Sequence, residues 1–299
     1  MITKEATAVA PAPERPAAPG SPRPARRRRA WDEAPRWQIY LPLSVYLLFT
    51  LIPFYWILLF ALRPAGSTSL VPWPMTFDHF EKVWTERSFG TYFQNSVLVG
   101  VATLFLTTVV ALAGGYALAR FDFRIKRAFM LALLCSQFVP GALLLVPLFQ
   151  IFAGLQMINS LSSVVIAETV FQLPLSMILI SGFIRNVPYS LEEAAWVDGC
   201  TRLTAFRIVV LPLLRPGLIA VGSFAFVHAW NHFLFALMFL SDQDKQTIPV
   251  GLNTLMSSDS VDLGGLAAGG IIAALPVVIV FAFIQKWLIT GFSAGAVKG

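Results

Sequence analysis

The chain has 299 residues, 57% of them hydrophobic and only 13% charged, with a mean hydropathy of +0.70 and a formal net charge of +6. These values exclude a soluble globular enzyme and place the chain among polytopic membrane proteins. The basic excess clusters beside apolar stretches instead of covering a polar surface, which excludes a nucleic-acid-binding role. Cys135 lies in an apolar stretch and Cys200 in a polar one; two cysteines cannot make a disulfide framework and read as free thiols.

Residues 1–37 are rich in Ala, Pro and Arg, carry the run Arg26–Arg29 and show no apolar periodicity. They read as a disordered basic cytoplasmic tail that fixes topology or touches anionic lipid. A twin-arginine export signal is the alternative. Asp32 and Glu33 interrupt it, and the apolar stretch that follows is too long and has no small-residue cleavage site.

Six apolar stretches of spanning length follow, at 39–62, 96–119, 128–153, 161–184, 218–240 and 266–288. Each is near the ~20 residues that carry a helix across ~30 Å of hydrocarbon. Only helices satisfy their own backbone there, so the expected fold class is all-α, a six-helix polytopic membrane protein. With the N-terminus inside, the inner segments hold eight, four, four and two Lys and Arg, and the outer ones four in all. That asymmetry predicts N-in, C-in.

The outer segment 63–94 contains an amphipathic piece, Phe77–Trp84, that predicts a short interfacial helix or an aromatic belt. Pro140, Pro147 and Pro174 predict kinks in the third and fourth spans, and Gly265 with Gly269 predicts close helix packing at the start of the last.

Polar groups within spans are costly and mark function or inter-helix bonding. Glu168 and Gln172 sit one turn apart in the fourth span; His228, Asn231 and His232 share a face of the fifth, flanked by Trp230. They are expected either to line one substrate cavity, with Trp230 or a nearby Phe stacking on a bound ring, or to bond one another across helices. His228 and His232 have metal-like spacing, but no third ligand stands near them in the sequence, so no metal is expected. There is no GxxxxGK[ST] loop, nucleophile elbow or HExxH, so the chain is not expected to be an enzyme or to bind a cofactor.

The polar stretch between the fourth and fifth spans, 188–216, reads as helix, glycine turn and helix at the inner surface. Val187-Pro188 sets its start, Glu192 and Glu193 suit a helix N-terminus, Gly199 suits a helix end, and Pro212 and Pro216 mark the next span. Here Glu193-Ala194-Ala195, Gly199, Val209 and Leu211-Pro212 fall at the spacing of the EAA loop, so the chain resembles the permeases of bacterial ABC importers, whose pattern usually has Ile where Val209 stands. Tyr92–Ser96, Tyr116–Arg120, Trp230–Phe233 and the ending Thr290–Gly299 are similar to the carbohydrate-uptake branch, and the tail to the smaller permease subunit of maltose-type importers. Those relatives often have an acidic residue at the position of His232.

The resemblance implies the type I importer permease fold in the bacterial cytoplasmic membrane and inward sugar transport by alternating access. It implies as partners a second homologous permease, an ATPase dimer that holds the ATP and Mg, and an extracytoplasmic sugar-binding protein. Glu192, Glu193, Ala194, Ala195, Asp198, Gly199, Leu211 and Pro212 would form the ATPase-coupling helix. The tail 289–299, through Gly295, Ala296, Val297, Lys298 and Gly299, would reach the ATPase. Two alternatives stay open: an importer of the same architecture for glycerol phosphate or another small solute, and an ion-coupled secondary carrier.

Overall fold

The structure is a computed structural model and describes residues 35–256 and 262–296, with side chains described as far as residue 286. The basic tail through residue 34 and the last three residues, Val297, Lys298 and Gly299, lie outside the described residues. The chain divides into two units, 1–52 and 53–299. The described part of the first includes the opening of helix α1 (Arg36–Leu62), where the side chains of residues 37–52 are exposed.

The second unit carries the rest of α1, buried at Leu59 and Ala61. Then come α2 (Asp78–Thr85), α3 (Phe89–Arg120), α4 (Lys126–Ser136), α5 (Leu145–Gly154) and α6 (Leu161–Arg185). After these follow α7 (Ser190–Val197), α8 (Arg202–Ala205), α9 (Leu211–Leu213), α10 (Arg215–Asn231), α11 (Leu234–Phe239), α12 (Ile248–Met256) and α13 (Leu263–Ala296). Among the described residues four helices are long and apolar enough to cross a membrane, and there are up to six crossings if each of two bent helix pairs counts as one.

The body is built on α3, which packs against α6 and α10. Its buried residues Val99, Gly100, Thr103, Thr107, Ala111, Gly115 and Leu118 recur at steps of one helical turn, and most are small. Small residues let helix backbones approach where no hydrophobic effect drives association. A Cβ on Gly115 would stand 2.7 Å from Ile180 Cγ2 and 3.2 Å from the Met177 carbonyl. Gly115→Val is therefore expected to destabilise the α3–α6 contact by about 1–3 kcal/mol, as overpacking does. A lowered midpoint of thermal unfolding in detergent checks this.

Two expected spans are not continuous helices. The stretch 128–153 breaks at Pro140, whose backbone is extended (ψ 126°), and the two helical pieces meet at 96°. Proline supplies no N–H to the preceding turn and disfavours helix at the residue before it, which sets the break here. Pro147, by contrast, lies in the first turn of α5, where its missing N–H has no helical acceptor, and α6 runs through Pro174 unbroken. The stretch 218–240 ends its helix at Asn231; His232 is extended (φ −76°, ψ 123°) before α11 begins. Such broken backbone is tolerated at membrane depth where protein or a cavity surrounds it.

On the outer face, α2 falls one residue beyond the amphipathic piece read from the sequence and buries His79 and Val83. The His79 ring lies against the Gly264 backbone, where a Cβ would clash, and its Nε2 is 3.2 Å from the Arg63 carbonyl. Gly269 accommodates Phe89 in the same way, so the glycines of α13 serve close packing. A clasp joins the turn before α6 to the turn after α11. The Asn159 side chain accepts N–H groups from Ser241 (3.2 Å) and Asp242 (3.0 Å) and donates to the Asp242 carboxylate, which also receives Lys245 Nζ at 3.1 Å. The Asn159 amide, then Lys245, hold the exposed Asp242 carboxyl below the usual carboxylate range.

Candidate functional site

The polar stretch between the fourth and fifth crossings folds as a helical hairpin. Helix α7 starts two residues after Pro188 and ends in a Schellman motif. Gly199 N–H donates to the Trp196 carbonyl (3.0 Å), Cys200 N–H donates to the Ala195 carbonyl (2.9 Å), and Gly199 has φ +86°. No neighbour lies within 4 Å of a Cβ built on Gly199, so the backbone sign, not space, demands glycine there. The chain restarts at Thr201, whose Oγ1 accepts the Thr204 N–H (3.3 Å), and runs through α8 and a π-helical turn, Phe206–Val210, into α9.

Glu192 and Glu193 face opposite ways. Glu193, Ala194, Asp198 and Gly199 are exposed, as are the apolar side chains of Val197, Leu203 and Ile208; Ala195, Leu211 and Pro212 are half-buried. Glu192 is only 1% exposed and so, within the expected coupling helix, turns into the body instead of outward like Glu193. Its carboxylate receives Arg120 Nε at 2.6 Å and Tyr116 Oη at 2.7 Å, while the same guanidinium donates to the Val187 carbonyl at 2.9 Å. The end of α3 is thereby clamped to the start of α7. Residues one apart on a helix point about 100° apart, so one acid of an adjacent pair turns inward when the other faces out. Rings close the clamp: Arg120 lies 5.3 Å from the Tyr189 ring, Tyr189 meets Trp196 edge-on, and Arg202 lies 5.2 Å from the Trp196 ring.

A second cluster sits in the membrane-spanning part, between α6 and α10. Glu168 is fully buried. His228 Nδ1 is 3.0 Å from its Oε2, and His232 Nδ1 lies 2.7 Å from its Oε1, an ion-pair contact off the ideal hydrogen-bonding direction. The two imidazoles stack with centroids 5.3 Å apart, and His232 packs 4.5 Å from the Phe235 ring. A groove of about 710 Å³ runs past them, lined by Gln172, Leu175, Leu179, Phe224, Val227, His228, Asn231 and His232. Four of the six expected cavity residues line it, and Glu168 stands behind the histidines.

Trp230 does not line it. It is 1% exposed, donates its indole N–H to the Ala273 carbonyl (3.0 Å) and packs on Phe226 and Phe93, so it holds α10 to α13 instead of offering a face to a sugar. Phe224, 55% exposed, is the aromatic ring open to the groove. Leu175 and Leu179 lie three and seven residues beyond Gln172, and Phe224 four before His228; that helical spacing is the signal that would have found them. Among the described residues no group of three or more His, Cys, Asp or Glu is arranged to hold a metal ion. Gly295 and Ala296 close the last turn of α13.

Residues 110–293 match the model of the binding-protein-dependent transport system inner membrane component, a span that takes in the clamp, the hairpin and the groove. The chain belongs to this family. It is 35% identical over 252 residues to the diacetylchitobiose uptake system permease protein DasC of Streptomyces coelicolor, covering 83% of this chain and 91% of that one. It is 31% identical over 256 residues to the trehalose transport system permease protein SugB of Mycobacterium tuberculosis, covering 84% and 93%. A chain of a bacterial ABC transporter involved in import of the acidic polysaccharide alginate has the same fold, with a TM-score of 0.69 over 85% of this chain and 98% of that one at 20% identity. The protein is thus an ABC-importer permease of the cytoplasmic membrane, a transport subunit and not itself an enzyme, and works with a binding protein and an ATPase.

Proposed function

We propose that this permease moves an oligosaccharide inward, as one of two homologous membrane subunits coupled to an ATPase dimer that holds the ATP and Mg. The observation that carries the reading is the clamped hairpin. Its outer side presents Glu193 and the apolar Val197, Leu203 and Ile208 to a partner, while its inner side is fixed to α3 through Glu192 and Arg120. A push on α7 therefore moves the end of α3, and α3 packs along α6 and α10, whose facing sides form the groove. Motion imposed at the cytoplasmic face reaches the solute path through packed helices, without a flexible link.

The sugar class is supported by the names of the relatives, which carry diacetylchitobiose and trehalose, and by a groove with no Lys or Arg in its lining. The extracytoplasmic partner is then a sugar-binding protein, and calorimetry on it identifies the sugar. Uptake is measured in proteoliposomes holding this chain, the second permease and the ATPase, with the binding protein outside and ATP within. Vanadate is expected to stop uptake and a protonophore to leave it. The reverse pattern would establish an ion-coupled carrier and end the ATP-driven reading.

A further inference from the structure

The cluster at Glu168 is more elaborate than helix bonding requires. One hydrogen bond would suffice to join α6 to α10, and a purely structural partner would be buried with the carboxylate. Here two imidazoles converge on one carboxylate, and their other sides stay open: the His228 side chain is 45% exposed and that of His232 22%. An ionisable group at 0% exposure in a spanning helix is expensive and marks a solute path more often than a scaffold.

We propose that Glu168, His228 and His232 form a sugar-hydroxyl site in the groove wall, in which the buried carboxylate hydrogen-bonds His228 Nδ1–H and faces the Nδ1 of His232, so that both rings offer a bare Nε2 acceptor to a neutral polyhydroxylated solute. This rests on the oligosaccharide reading above. An ionised carboxylate only accepts, so each Nδ1 facing it carries a proton, and a neutral imidazole then has its lone pair at Nε2. The rings are stacked with planes 20° apart and centroids 5.3 Å apart, and both turn Nδ1 to the one carboxylate, so each Nε2 lies on the part of its ring away from Glu168. The exposed Phe224 and the adjoining Leu175 offer an apolar face to the C–H side of such a ring. With both rings neutral, a carboxylate or phosphate brought here would meet two lone pairs and a buried negative charge with no Lys or Arg in the lining to offset them. The site discriminates against anionic sugars by repulsion as well as for neutral ones by hydrogen bonding.

The test uses the complete reconstituted transporter with its binding protein. Trehalose, raffinose, diacetylchitobiose and an alginate trisaccharide are the probes. At least one neutral sugar is expected to be taken up and the alginate fragment excluded. In ¹⁵N NMR of the histidine-labelled complex, both rings are expected in the Nδ1–H form. Glu168→Gln keeps the volume, but its amide N–H donates to one imidazole Nδ1 and so drives that ring's proton to Nε2, turning an acceptor into a donor. His228→Phe removes an acceptor and keeps a ring. Each is expected to raise KM about tenfold, more than kcat falls, the scale of one hydrogen bond to the solute. An Nε2–H signal for either wild-type ring overturns the proposal, and this result does not depend on the variants folding. So does KM within about twofold of wild type in both variants, or preferred uptake of the alginate fragment. ATP turnover with no sugar moved would instead remove the oligosaccharide reading itself.

Discussion

Replacing Glu192 with alanine is expected to abolish ATP-driven uptake and to loosen the ATPase from the membrane complex. Arg120 is 9% exposed and Glu192 1%, so the pair is buried at the cytoplasmic end of α3. Taking away one partner leaves a guanidinium with no counter-charge, and that costs about 3–5 kcal/mol where the pair is buried. The Tyr116 hydroxyl loses its acceptor in the same step. Only the Val187 carbonyl and the Tyr189 ring would still hold Arg120, and both residues lie before α7 starts, so α7 itself would no longer be tied to α3. Glu192→Gln keeps one acceptor, for Arg120, and turns an N–H to the Tyr116 hydroxyl oxygen, without the charge, and a smaller loss is expected. The double variant Arg120→Ala with Glu192→Ala is expected to fold better than either single one, because no uncompensated charge remains, yet to transport poorly, because the link is gone. Co-purification of the ATPase with uptake in the same preparation separates these effects. A Glu192→Ala protein that keeps both its ATPase and its rate would show that the clamp carries no motion.

The hairpin was legible because each of its signals is local. A proline before the helix, acids in its first turn and a glycine at its end state helix, stop and restart without help from the rest of the chain. The long crossings were legible for a related reason: length and apolarity suffice for α1, α3, α6 and α13. Hydropathy is blind, however, to where an apolar run bends. The residues around Pro140 and those after Asn231 are apolar enough to pass as one span each, and their breaks depend on what surrounds them. The cluster at Glu168 was half legible. Helical spacing put Gln172 and the two histidines on facing sides, but Trp230 shares that stretch of α10 and only tertiary packing reveals that it turns toward Ala273. The adjacent acids Glu192 and Glu193 look alike in sequence, and the partner that separates them, Arg120, lies 72 residues away.

Gly199 offers the sharper test of the lever. Its φ of +86° lies in the left-handed half of backbone space, where an L residue other than glycine costs about 1–2 kcal/mol and a β-branched one more. Open space around its Cβ position means that a substitution meets no steric wall within this chain, so any effect inside the chain comes from the backbone. Gly199→Val is expected to pull the turn toward negative φ and break the two carbonyl contacts that end α7, at Trp196 and Ala195. The direction in which α8 leaves would then change, and Leu203 and Ile208 would no longer be presented beside Val197. Uptake is expected to fall at least about tenfold, as a loss of some 1.4 kcal/mol at a coupling contact requires, with the spans still inserted. Gly199→Asn, which tolerates positive φ, is expected to keep most of the activity, and Gly199→Ala to fall between. That order, Asn above Ala above Val, follows backbone preference and runs against side-chain size for Asn and Ala. If instead the three variants rank by volume, the hairpin is sensed through crowding at a partner surface, and the turn geometry at Gly199 is not what transmits the stroke.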